Sequence, residues 1–200
     1  MPKETFLNLP EEKRKRIFHA AVQEFSVRRF SDASVNNIVK NAGIPWGSFY
    51  QYFDNKEDLF SYVYGEILRE KRELMHRKDV YDENADVFTM CVQTTKSTYE
   101  WSRLRPDYAK IALLMEVDDS ELITRLRSES MLGLIEMVER DKTCGFIRQD
   151  ADSALVANML YSLILSEYFN TDMDAQAFSR KLDSTVEIIK HGVSANRKGE

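Results

Sequence analysis

Glycine and proline are scarce in this chain, with seven and four residues in 200. Sandwiches and barrels spend both residue types on their many turns, so the shortage weighs against those folds and favours long helices. Cysteine is scarcer still. Cys91 and Cys144 share no CxxC spacing and have no histidine close in sequence, which leaves two reduced thiols as the expectation. The strongest apolar run, Met159 to Leu165, is interrupted by Tyr161 and Ser162 and falls far short of the ~20 residues a membrane span needs. The opening MPKETFLNLPEEKRKR has no apolar core of the kind a signal peptide carries. The expected location is therefore cytoplasmic, with no membrane partner. There is no GxSxG, P-loop, HExxH or glycine-rich dinucleotide loop, and the three histidines, His19, His76 and His191, are scattered. No catalytic site, metal site or cofactor is expected. An excess of positive charge is missing too: the net charge is −5. Its distribution is uneven, however, with +1 over residues 1–60 and −6 over the rest, so the basic residues concentrate toward the N-terminal end.

What the chain has is helical periodicity from end to end. Pro10 with Glu11 and Glu12 reads as a helix start, and Phe18, Ala21, Val22 and Phe25 then fall on one helical face. This helix is expected to end near Arg28, Arg29 and Phe30. Ser34 is a candidate N-cap for a helix over 35–42. Asp54 or Asn55 can cap a further helix running to about His76, with Phe60, Val63, Tyr64 and Ile67 on its apolar face. Lys78 to Asn84 reads as a connection. Beyond it come a helix ending near Arg105, before Pro106, a short one over Asp107 to Glu116, and a longer one ending before Gly145. Asp150 or Asp152 then caps a helix to about Asn170 that is apolar nearly all round, and such a helix must be covered on several sides. A final amphipathic helix carries Phe178, Leu182, Val186, Ile189 and Val193 on one stripe. The expected fold class is all-α, with about nine helices.

The chain is organised around SVNNIVKNAGIPWGSFYQYFDNK, residues 34–56. Ala42-Gly43-Ile44-Pro45 is a tight turn between two short helices: Gly43 permits the positive φ that ends one, and Pro45 suits the start of the next. Ile38, Val39, Ala42, Ile44 and Phe49 can close a small core where these helices cross, with Phe53 also internal. Trp46, Gly47, Ser48, Tyr50, Gln51 and Tyr52 are left on or near the outside. A short helix that starts with small residues and exposes aromatic and amide side chains suits a DNA groove, which is the pattern of a helix-turn-helix.

Residues 10–62 resemble the N-terminal domain of the TetR (tetracycline-repressor) family of bacterial regulators. The resemblance rests on RIFHAAVQEF, SVNNIVKNAGI, GSFYQYF and NKEDLF in that order and spacing. Two positions depart from the family pattern: Arg28 and Arg29 stand near a usual glycine, and Ala33 stands at a frequent threonine. The resemblance implies an N-terminal three-helix DNA-binding domain over residues 1–60 and a larger helical domain over 61–200, bridged by the helix from about 56 to 76. It implies that the larger domain binds an effector and dimerises. It also implies that Trp46, Gly47 and Ser48, entered through Pro45, read base edges, while Tyr50, Gln51, Tyr52, Ser34 and Lys56 touch phosphates.

One such helix reads few base pairs, so useful affinity calls for a homodimer and a palindromic double-stranded DNA operator. The last two helices offer a self-complementary surface, with Leu155, Met159, Leu163, Phe178, Leu182, Val186 and Ile189 as its candidates. Phe88, Tyr99, Trp101, Tyr108, Met115, Met131 and Tyr161 are candidates to line a pocket for a small hydrophobic or amphipathic effector. The expected function is a ligand-responsive transcriptional repressor. The alternative is a helical ligand-binding or scaffold protein that has lost DNA binding, against which the intact GSFYQYF-DNK segment argues.

Overall fold

The computed structural model of the chain describes residues 1–77, 84–168 and 174–193. Among these, ten helices follow one another: α1 (Glu4–Leu7), α2 (Glu11–Phe25), α3 (Val35–Ala42), α4 (Trp46–Tyr52), α5 (Lys56–Arg77), α6 (Val87–Leu104), α7 (Pro106–Glu116), α8 (Glu121–Thr143), α9 (Ser153–Tyr168) and α10 (Ala175–Val193). The all-α expectation holds. The helix beyond the expected nine is α1, one turn long and without a periodic signal. Helix α2 stops at Phe25, short of Arg28, because Ser26 to Phe30 are already turning back toward the core. Most of the Lys78–Asn84 connection, and the end of the helix expected to reach Asn170, lie outside the described residues.

Several helix ends carry the stops and caps that their sequences supply. Ser34 accepts a hydrogen bond from the Asn37 amide at 3.4 Å, the N-cap geometry that satisfies one of the free amides of the first turn of α3. Gly43 sits at φ 62° and closes α3 in the left-handed conformation that glycine adopts most cheaply. Asn55 Oδ1 accepts from the Asp58 amide at 2.9 Å and starts α5. Asp152 does the same for α9 through the Leu155 amide, at 3.0 Å. Asp174 caps α10 through the Gln176 and Ala177 amides, both at 2.8 Å, and these bonds hold its carboxyl below the usual range.

Two compact units emerge. The first comprises residues 1–73 and 102–125, and the second 74–101 with 126–200. The first is built on an aromatic core. Phe25, Phe30 and Phe60 meet edge-on or tilted, with centroids 4.9–6.4 Å apart, and Phe6, Phe49 and Phe53 form a second group of rings. Phe18 lies half-buried on α2, with its ring edge-on to Tyr62 and to Tyr108 of α7. Aromatic pairs in these tilted geometries add about 0.5–1.5 kcal/mol each beyond their burial.

In the second unit, α9 and α10 pack together over Val87, Phe88 and Cys91 of α6 and Val138 of α8. Tyr99 stacks on Phe178 with centroids 4.0 Å apart. Asp141, fully buried, accepts from the Val87 amide at 2.6 Å and pairs with Arg140 at 2.7 Å, so the start of α6 is capped from α8. The residues of the expected interface stripe divide into two sets. Leu163, Phe178, Leu182, Val186 and Ile189 are taken up by this unit's own core, because the α10 stripe faces α9. Leu155 and Met159 remain outside, at 59% and 42% exposure, joined by Ile188. Among the described residues, no helix is long and apolar enough to cross a membrane.

Candidate nucleic-acid interface

Helices α3 and α4 and the turn between them lie in the first unit, with α2 packed across α3. Ile38, Val39, Ala42, Ile44 and Phe49 are buried where the helices meet, as their spacing predicts. Pro45, at φ −60° and ψ 142°, occupies the residue before α4 and has no amide proton to leave unsatisfied there. The helix then presents Trp46, 45% exposed, beside Tyr50, 50% exposed, with the rings edge-to-face at 5.7 Å. Gly47 and Gln51 are exposed between and beyond them, and Ser48 is half-buried. A Cβ added at Gly47 would meet nothing within 4 Å, so the fold itself does not require glycine there. Its backbone lies open to an approaching partner.

Two expected contact residues are placed differently. Tyr52 is only 5% exposed: its ring lies 6.1 Å from Phe6, and the Lys13 ammonium sits 5.5 Å over it. The sequence put Tyr52 on the outer face because α1, the element that covers it, gave no signal. Lys56 turns inward. Its Nζ donates to the carbonyls of Ser31 at 3.1 Å and Ala33 at 3.0 Å, and lies 4.7 Å from the Phe30 ring centroid. The Ser34 hydroxyl is engaged in its cap.

The loop joining α2 to α3 is held by charges that sequence reasoning missed. Glu24, buried, accepts from the Ser34 amide at 2.9 Å and from Asn37 Nδ2 at 3.3 Å, and meets Arg28 at 3.4 Å. Asp118, fully buried between α7 and α8, accepts from the Ser31 amide at 2.8 Å and the Ser120 amide at 2.9 Å. Burial pushes the Asp118 carboxyl upward, but these hydrogen bonds outweigh it and hold it below the ordinary carboxylate range. Arg29 pairs with Asp32 at 2.8 Å, so the arginines at the departing positions are both occupied by carboxylates. A buried acid on an otherwise apolar helix face was the one available signal, at Glu24. Nothing local marks the reach of Asp118 to Ser31.

The expected pocket residues divide between the two units. Phe88, Tyr99, Trp101, Met131 and Tyr161 belong to the second unit, where Phe88 and Trp101 are buried and the Phe88 ring is part of the main core. Tyr108 and Met115 belong to the first unit, and Tyr108 lies against Phe18. Among the described residues no group of three or more His, Cys, Asp or Glu side chains could hold a metal ion.

Comparison with known proteins places this geometry in context. The family profile described as bacterial regulatory proteins, tetR family, matches residues 17–63. An uncharacterised HTH-type transcriptional regulator of Bacillus subtilis (strain 168), YdgC, is 30% identical over 164 residues, covering 79% of this chain and 81% of that protein. Among solved structures, a TetR family transcriptional regulator from Chloroflexus aurantiacus superposes with a TM-score of 0.74 at 25% identity, covering 98% of this chain and 100% of the other. The transcriptional regulator FadR from Bacillus subtilis, solved in complex with stearoyl-CoA, superposes with a TM-score of 0.66 at 20% identity, covering 89% of this chain and 98% of the other. All three relatives are transcriptional regulators.

Proposed function

We propose that this chain, which belongs to the TetR family of bacterial regulatory proteins, is a ligand-responsive repressor that binds a palindromic operator as a homodimer. The observation that carries the reading is the open edge of α4, where Trp46, Gly47, Tyr50 and Gln51 face solvent on a seven-residue helix with a buried back. A soluble fold gains nothing from exposing two aromatic rings side by side. A groove-reading helix can use such rings on thymine methyls, sugars and phosphates. In this reading Pro45, Trp46, Gly47 and Ser48 address base edges, and Tyr50 and Gln51 address phosphates. Ser34 and Lys56 set the loop that carries α3, and Tyr52 supports the helix from behind.

Residues 1–60 act as the DNA-binding domain and 61–200 as the effector-binding and dimerisation domain. Two heads about 34–36 Å apart match successive major grooves on one face of the duplex. Leu155 and Met159 are the exposed apolar residues of α9 on which a second copy would seat. The effector is amphipathic, with an apolar part, and the likeness to a FadR that holds stearoyl-CoA supports that class. To move the population fully between binding and non-binding forms it must discriminate by about 5.5 kcal/mol.

The test is selection of bound duplexes from a random DNA pool by the purified full chain at near-physiological salt. A recovered palindrome is the expected result. Recovery of no motif, with only weak and salt-sensitive binding, would overturn the reading.

A further inference from the structure

Helix α4 is only seven residues long, and helices shorter than about 12–15 residues are marginal on their own. Its last four carbonyls have no partner within the helix. Each of the four is nevertheless satisfied. Phe49 O accepts from the Phe53 amide at 2.9 Å. The other three are met by the N-terminal segment: Tyr50 O accepts from Lys3 Nζ at 2.8 Å, Gln51 O from the Thr5 hydroxyl, and Tyr52 O from the Lys3 amide at 2.8 Å. The Lys3 ammonium also pairs with Asp54 at 2.6 Å. A cation at a helix C-terminus is favoured by the helix dipole as well.

The segment is itself anchored. Phe6 is fully buried, with its ring centroid 4.8 Å from that of Phe53 and 5.0 Å from that of Tyr62. Leu7 O accepts from Arg14 Nη1 at 3.0 Å, which ties the far end of α1 to α2. The arm itself lies before residue 17, where the family match begins. We infer that Lys3 and Thr5 are positioning residues for DNA binding: the N-terminal arm caps the C-terminal end of the recognition helix and fixes the angle at which its open edge meets the groove. The inference rests on the DNA-binding reading above, but the arm's hold on α4 can be measured without DNA.

The experiment compares the full chain with Lys3→Met, Thr5→Val and the double variant. Amide hydrogen exchange is followed on peptides spanning residues 46–53 and, as an internal control, 35–42. The double variant should exchange about tenfold faster over 46–53 while 35–42 is unchanged, the scale expected when two hydrogen bonds are removed from a local opening equilibrium. With a duplex recovered by selection, the double variant should bind about tenfold more weakly, and the slope of log affinity against log salt should stay where it was. That slope separates positioning from direct contact, since a lysine on a phosphate contributes about 0.9 to it. Unchanged exchange over 46–53 would overturn the inference. So would a slope reduced by about 0.9 per head in Lys3→Met, which would make Lys3 a phosphate ligand instead. If the unaltered chain selects no duplex, the DNA reading fails, and the exchange comparison still decides whether the arm holds the helix.

Discussion

Replacing Gly47 by alanine separates what the fold needs from what DNA binding needs. The residue lies in the first turn of α4 with ordinary helical backbone, and an added methyl would meet no atom within 4 Å. Alanine is preferred over glycine inside helices by roughly 0.5–1 kcal/mol, so the variant should be the more stable protein. For a chain of this size that corresponds to a rise in Tm of roughly 1–4 °C. On DNA the sign reverses. If the Gly47 backbone approaches a base edge, the methyl displaces a contact of the kind worth about 1–3 kcal/mol per site. With a head on each half-site, that cost is felt twice, giving a loss of affinity between about thirtyfold and twenty-thousandfold. The assay is thermal denaturation followed by titration of the selected duplex at fixed salt. A Gly47→Ala protein that is more stable and binds the duplex as tightly as its parent would refute the placement of Gly47 against the bases. A protein that is less stable would refute the reading of the structure itself.

Three further outcomes are expected. Tyr50→Phe should weaken binding to all duplexes alike, whereas Ser48→Ala should alter base preference in a repeated selection; the same sequence-independent loss in both would show that the two residues do not divide the work as proposed. Among the described residues no ion pair or hydrogen bond holds Lys71, and burial draws its amine down to about 8 from the usual lysine range. The unfolded chain then holds a proton that the folded chain does not between pH ~8 and ~10.4, so stability should rise with pH across that window. Lys71→Met should raise Tm at pH 7 and flatten the rise, and an unchanged profile would remove the cause assigned to it. Finally, Glu24→Ala leaves the Ser34 amide and the Asn37 side chain without their shared acceptor and should cost about 1–3 kcal/mol in chemical denaturation, where a change below ~0.5 kcal/mol would mean water replaces the carboxylate freely.

The helix-turn-helix could be read from the sequence because its constraints are local. Gly43 takes the left-handed conformation its place in the turn demands, Ser34 caps α3, and Asn55 caps α5, each decided by residues within four positions of one another. The misplacements share the opposite character. Tyr52 and Lys56 are set by distant partners, the α1 aromatic Phe6 for one and the Ser31 and Ala33 carbonyls for the other. Periodicity marked Phe178, Leu182, Val186 and Ile189 as a stripe that must be covered, but a stripe does not say whether its cover is the same chain or another copy. The arm was invisible for a related reason: one turn of helix carries no period, and its hold on α4 runs mostly through backbone carbonyls that have no sequence identity.

The Asp118–Ser31 hydrogen bond bears on how regulators of this kind can be recombined. A hybrid made by grafting residues 1–60 onto another body would leave behind the carboxylate that holds the Ser31 amide, since Asp118 sits between α7 and α8 yet belongs to the same compact unit as the head. The graft would carry a Ser31 amide without its acceptor and a loosened loop ahead of α3, and a loss of operator binding would then be misread as a poor choice of partner body. The portable module is discontinuous. It takes residues 102–125 along with the head, or it requires a recipient that supplies an acid at the matching place.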